Sequence, residues 1–168
     1  MELSFLYAIP HTEALDTFFL GLTKLVGSYG QLFLFLGIAL LFFKKTRMTG
    51  AAVLISYFGV LLFGQVILKH LFLRPRPCQI DQSFALLLPR SESSSFPSTH
   101  TAWAFAAATA VALNYRRAGT LVLLLACLIG FSRMYLFMHF PTDVLAAVVM
   151  GVCIGFLSVR YARSILKH

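Results

Sequence analysis

Long apolar runs separated by short polar clusters dominate this chain. Five of them, at 28–43, 50–68, 99–115, 118–137 and 141–161, approach or reach the about 20 apolar residues that carry a helix across a bilayer core. The first is short and borrows flanking residues. The N-terminal stretch has a different pattern. Leu15, Phe18, Phe19, Leu22 and Val26 fall on one helical face, while Asp16, Thr17, Thr23 and Lys24 fall mainly elsewhere. That spacing predicts an amphipathic helix lying in the membrane interface. Pro10 and His11 argue against one continuous helix from the preceding apolar residues 3–9, and a sixth span is the alternative. The expected fold is all-α: an integral membrane helical bundle of five spans plus an N-terminal interfacial helix. No linker, repeat or low-complexity tract divides it. Residues 1–168 therefore read as one domain, with 1–27 as the amphipathic segment and 28–168 as the catalytic bundle.

Composition supports the bilayer as solvent. The 168 residues are 59% hydrophobic and 12% charged, with a mean hydropathy of +0.83. Soluble domains are roughly half apolar and about a quarter charged. A net charge of +8 would suggest nucleic acid in a soluble protein. Here the bases form clusters between apolar runs: Lys44, Lys45 and Arg47; Arg116 and Arg117; Arg160, Arg163 and Lys167. Threading five spans puts all three on one side, which the positive-inside pattern makes cytoplasmic. Loop 69–97 and turn 138–140 then face outward, and no nucleic-acid partner is expected. Cys78, Cys127 and Cys153 lack disulfide or zinc spacing. Glu2, with His11, Glu13 and Asp16 close behind, does not read as a signal peptide.

The remaining polar residues gather at the outward span ends. Lys69, Arg74 and Arg76 follow the second span, Ser98 and His100 open the third, Ser132 and Arg133 end the fourth, and His139 and Asp143 flank the start of the fifth. Ionisable residues at membrane depth are costly and mark function by default. Lys69, Arg76 and Arg133, with only Asp143 as a nearby acid, suit an anionic ligand, and guanidinium forks match phosphate oxygens. Pro97 and Pro141 mark helix starts, whose free N–H groups bind phosphate. His139 and Asp143, four apart, share a helix face. A carboxylate on one imidazole nitrogen fixes the tautomer and leaves the other to attack. His100 can protonate a leaving oxygen. This arrangement needs neither metal nor cofactor.

Three motifs carry a resemblance. Residues 69–77 read K-H-L-F-L-R-P-R-P, fitting K-x6-R-P. Residues 97–100 read P-S-T-H, close to P-S-G-H. Residues 132–143 read S-R-M-Y-L-F-M-H-F-P-T-D, fitting S-R-x5-H-x3-D. Together, in this order, they resemble the type 2 phosphatidic acid phosphatase superfamily, which includes membrane lipid phosphatases and soluble haloperoxidases. The resemblance implies Lys69, Arg76 and Arg133 as phosphate ligands and Ser98 as a hydrogen-bond donor to phosphate. It implies His100 as general acid, His139 as the nucleophile forming a phosphohistidine, and Asp143 as its orienting partner. Thr99 departs from the pattern by replacing a glycine whose N–H points at phosphate, and its side chain narrows the pocket. Arg74 reads as a loop charge, Lys24 and Arg90 as snorkelling anchors, and His11 and His70 as bland.

The expected activity is hydrolysis of a lipid phosphate or diphosphate at the extracytoplasmic face of the cell membrane. Polyprenyl diphosphate, phosphatidylglycerol phosphate and phosphatidic acid are the candidate substrates. Phosphotransfer to a second lipid, and a catalytically silent lipid-binding or transport protein on the same scaffold, are the alternatives.

Overall fold

The computed structural model describes residues 2–166. Lys167, assigned above to the third basic cluster, lies outside the described residues. Among these the regular structure is all helix: α1 (Glu2–Tyr7), α2 (Glu13–Val26), α3 (Gln31–Leu41) and α4 (Arg47–Val60), which continues through a π-helical stretch (Leu61–Leu68) into α5 (Lys69–Phe72). Then come α6 (Pro77–Ile80), α7 (Thr99–Ala112), α8 (Arg116–Tyr135) and α9 (Pro141–Ile165).

Local chemistry sets several of these ends. Thr12 caps α2 by accepting the Leu15 N–H at 3.3 Å, and Gly27 ends it at φ 76°. Pro141 opens α9, where Asp143 reaches back to accept the Phe140 N–H at 2.9 Å. The chain breaks between α1 and α2 around Pro10, as the sequence leads one to expect.

The run Arg47–Ile80, α8 and α9 are each long and apolar enough to cross a bilayer. Alone, α3 has only 11 residues, but α2 and α3 are long and apolar enough together, bent by 52° as in a broken span or a re-entrant loop. The elbow forms because Gly27 and Gly30 both take positive φ. The expected interfacial helix thus docks on the bundle. Phe19, Leu22 and Val26 are buried, with the Phe19 ring tilted against Tyr135 of α8 at 4.5 Å, whereas Leu15 and Phe18 face outward. α7, at 14 residues, is about 21 Å long. It occupies the centre, packed against α4, α8 and α9. Its alanines let the neighbours approach, and Trp103 anchors it by donating to the Tyr57 carbonyl at 3.1 Å.

The basic clusters share one end of the bundle. The Tyr115 hydroxyl donates to the Lys45 carbonyl at 2.5 Å, and Arg163 donates to Leu113 O and Asn114 Oδ1 at 3.1 Å. The motif residues occupy the opposite end.

Candidate active site

A cavity of about 690 Å³ opens there. Lys24, Lys69, Arg76, Arg133, His100 and His139 line it, and among the described residues no Asp or Glu does. Four side-chain cations without a lining carboxylate give the cavity a positive field that suits an anion.

Each cation is placed by its own element. Lys69 follows the π-helical stretch, a rare geometry frequent at functional sites. Leu73, at φ 42°, turns the chain away from α5. Arg76 is then held by loop carbonyls: Nε donates to Ser93 O at 2.8 Å, and Nη1 to Met138 O at 3.1 Å. Arg133 donates from Nε to Ser132 Oγ at 3.2 Å and from Nη2 to the Thr23 hydroxyl. α2 therefore builds one wall of the site.

His139 is 3% exposed. Its Nδ1 lies 2.7 Å from the Ser95 carbonyl, so Nδ1 carries the proton and Nε2 keeps its lone pair. Nε2 accepts from Arg76 Nη1 at 3.2 Å. Burial chiefly pushes this imidazole down to about 3, with Arg76 and Lys69 adding to the effect against the opposing pull of Asp143. His100 Nε2 donates to the Gly27 carbonyl at 3.1 Å, which leaves Nδ1 for a ligand.

Two expectations need restating. Asp143 does not hydrogen-bond His139: Oδ2 stands 3.9 Å from Nδ1. The backbone carbonyl of Ser95 orients the ring instead, because both carboxylate oxygens are engaged elsewhere. Ser98 is fully buried, its hydroxyl 2.9 Å from Thr101 Oγ1, and it does not line the cavity. Thr99 does line it, and its hydroxyl donates to Gln65 at 3.3 Å. Lys69, Arg76, His100, Arg133 and His139 do converge.

Sequence reasoning missed four contributors. Lys24, exposed on α2, also lines the cavity. Arg74 is a salt-bridge partner of Asp143 at 2.6 Å, not a loop charge. Ser95 and Thr23 touch His139 and Arg133. A serine run and a helical threonine carry no pattern that flags them. Arg74 offered only its place two residues before Arg76, outside the motif positions. Arg90 pins the loop through the Cys78 and Gln82 carbonyls.

The PAP2 superfamily model matches residues 48–166, the stretch that holds every motif. The chain belongs to the PAP2 superfamily. Among its relatives, an undecaprenyl-diphosphatase of Sulfolobus acidocaldarius is 31% identical over 143 residues, 83% of this chain and 69% of that protein. Undecaprenyl-diphosphatase BcrC of Bacillus subtilis is 31% identical over 112 residues, 64% of this chain and 58% of that protein. The crystal structure of LpxE from Aquifex aeolicus superposes with a TM-score of 0.76 at 30% identity, covering 95% of this chain and 93% of that one. A transmembrane PAP2-type phosphatidylglycerolphosphate phosphatase of Bacillus subtilis gives 0.74 at 28% identity, covering 98% and 85%. With its long apolar helices, this PAP2 chain is an integral membrane protein.

Proposed function

We propose that the protein is a membrane lipid phosphatase that hydrolyses a lipid phosphate or diphosphate through a phosphohistidine. One observation carries this reading: His139 holds an unprotonated Nε2 at the edge of a cavity lined by Lys24, Lys69, Arg76 and Arg133, with no carboxylate in its lining among the described residues. A buried neutral imidazole is a nucleophile ready for use at ordinary pH. The phosphoryl group binds Lys69, Arg76 and Arg133, with the α7 N-terminus and Thr99 alongside. Nε2 attacks phosphorus as the bond to the lipid oxygen breaks, and His100, protonated on Nδ1 as well as on Nε2 while the anion is bound, gives the Nδ1 proton to that oxygen. The cations neutralise the equatorial charge as it develops. Water then cleaves the P–N bond and releases inorganic phosphate.

A polyprenyl diphosphate leads the substrate list, ahead of phosphatidylglycerol phosphate and phosphatidic acid. Two relatives are named undecaprenyl-diphosphatases, and a fourth cation, Lys24, extends the site beyond the three motif cations. The site faces the extracytoplasmic side of the plasma membrane, opposite the basic end.

The test is phosphate release by detergent-purified protein from these three lipids, with EDTA present, beside His139→Ala. Turnover by the wild type alone is expected. No release from any lipid by folded wild-type protein overturns the reading in favour of phosphotransfer or silent binding. Labelled phosphate appearing on an added acceptor lipid singles out phosphotransfer.

A further inference from the structure

Asp143 is fully buried, and its oxygens are committed away from His139. Oδ1 accepts from Arg74 Nη1 at 2.6 Å. Oδ2 accepts from Ser95 Oγ at 2.5 Å and from the Phe140 N–H at 2.9 Å. Ser95 links carboxylate and nucleophile, because its hydroxyl sits on Asp143 while its carbonyl accepts from His139 Nδ1 at 2.7 Å.

Arg74 ties this link together. Its backbone carbonyl accepts the Ser95 N–H at 2.8 Å, and its own N–H donates to Ser94 Oγ at 3.1 Å. Its guanidinium lies 4.4 Å over the Phe140 ring. Nη1 also donates to Thr142 Oγ1 at 2.7 Å, and Nη2 donates to Glu2 Oε2 at 2.6 Å. Glu2 closes the ring by accepting from the Thr142 hydroxyl at 2.7 Å and its N–H at 3.2 Å. One planar fork thus spans two carboxylates on two helices, a geometry lysine cannot reproduce.

We propose that Arg74, anchored by Glu2 of α1, is a positioning residue for phosphoryl transfer: it fixes Asp143 and Ser95 so that the Ser95 carbonyl holds His139 in its attacking orientation. The inference rests on His139 being the nucleophile, as proposed above. As Nε2 bonds to phosphorus and the lipid oxygen leaves with the electron pair, positive charge appears on the imidazole. Nδ1–H keeps its proton, faced by the Ser95 carbonyl and, at 3.9 Å, by Asp143. Without Arg74, a buried carboxylate loses its cation and is free to turn toward Nδ1–H, which stands 3.9 Å from Oδ2. The ring then swings off line. Misplacement by about 1 Å costs on the order of a hundredfold in rate.

The experiment is rapid-quench single turnover with lipid labelled in its terminal phosphate, reading the rate and the amplitude of His139 phosphorylation. Arg74→Gln is expected to slow the step about ten- to a hundredfold, with the amplitude still near one per chain. Glu2→Gln slows it by a smaller factor, and by nothing further in the Arg74→Gln background, because both act through one network. Arg74→Lys recovers only part of the rate. A merely structural role lowers the amplitude at an unchanged rate, and that result overturns the proposal. Should Arg74→Gln not fold, Glu2→Gln at the edge of the network decides alone, and a wild-type rate for it overturns the relay. Variants at wild-type rate leave the phosphatase reading standing. A wild type that forms neither phosphoenzyme nor phosphate overturns both.

Discussion

At the scale of single residues, burial does more for His139 than its neighbours' charges do. An exposed histidine titrates near 6.5, and His139 is pushed down to about 3. Between those values the unfolded chain binds a proton that the folded one does not. The unfolded state therefore gains as pH falls, so this contribution to stability is full above about 6.5 and is lost progressively towards 3. His139→Phe removes it. Thermal midpoints in detergent are expected to fall less steeply from pH 6.5 to 4 for that variant than for wild type. Parallel slopes would show that His139 is not buried neutral.

At the scale of elements, close approach between helices is set by small residues. A Cβ on Gly155 would sit 2.5 Å from the Ala106 carbonyl oxygen, and one on Gly151 would sit 2.6 Å from that of Ala102. These glycines, four apart on α9, let it lie directly on α7, the small-residue packing that membrane helices use in place of a hydrophobic drive. Backbone cannot yield as a side-chain tip does. Gly155→Leu should therefore push α9 off α7 and lower stability by about 1–3 kcal/mol or more, read as a drop in thermal midpoint. Leu157→Ala, an exposed position two residues on, should leave the midpoint nearly unchanged. An unshifted midpoint for Gly155→Leu would mean the helices are not so closely apposed.

The same scale explains what the sequence could and could not announce. Apolar run length located α8 and α9 closely, and spacing located the five residues that converge on the cavity. Both signals are local. The bend between α2 and α3 was not legible, because two glycines at positive φ look like ordinary loop residues until the helices on either side are seen to dock. The partners of Asp143 were not legible either. Which donors reach a buried carboxylate depends on how α1, the 94–95 segment and α9 meet, and Glu2, Arg74 and Ser95 are far apart in the chain. A motif can name the nucleophile, but the hydrogen bond that orients it comes from a backbone carbonyl, which every residue possesses.

At the scale of the whole molecule, the two ends of the bundle differ in what they do with positive charge. At one end, Lys44, Lys45, Arg116 and Arg117 are exposed and free to meet water and anionic headgroups. At the other, Lys69, Arg76 and Arg133 are buried around the cavity, where burying them is costly unless an anion completes the site. Only the first kind of cation orients a membrane protein during insertion, so the proposed sidedness rests on the exposed end. Cysteines placed at Lys45 and at Ser91, a residue of the cavity mouth, separate the cases in a background with Cys127 and Cys153 replaced. In intact cells an impermeant maleimide is expected to label Ser91→Cys and to reach Lys45→Cys only after lysis. The reverse pattern would turn the site to the cytoplasm. The phosphate chemistry would survive that outcome, but the substrate would then be drawn from the inner leaflet.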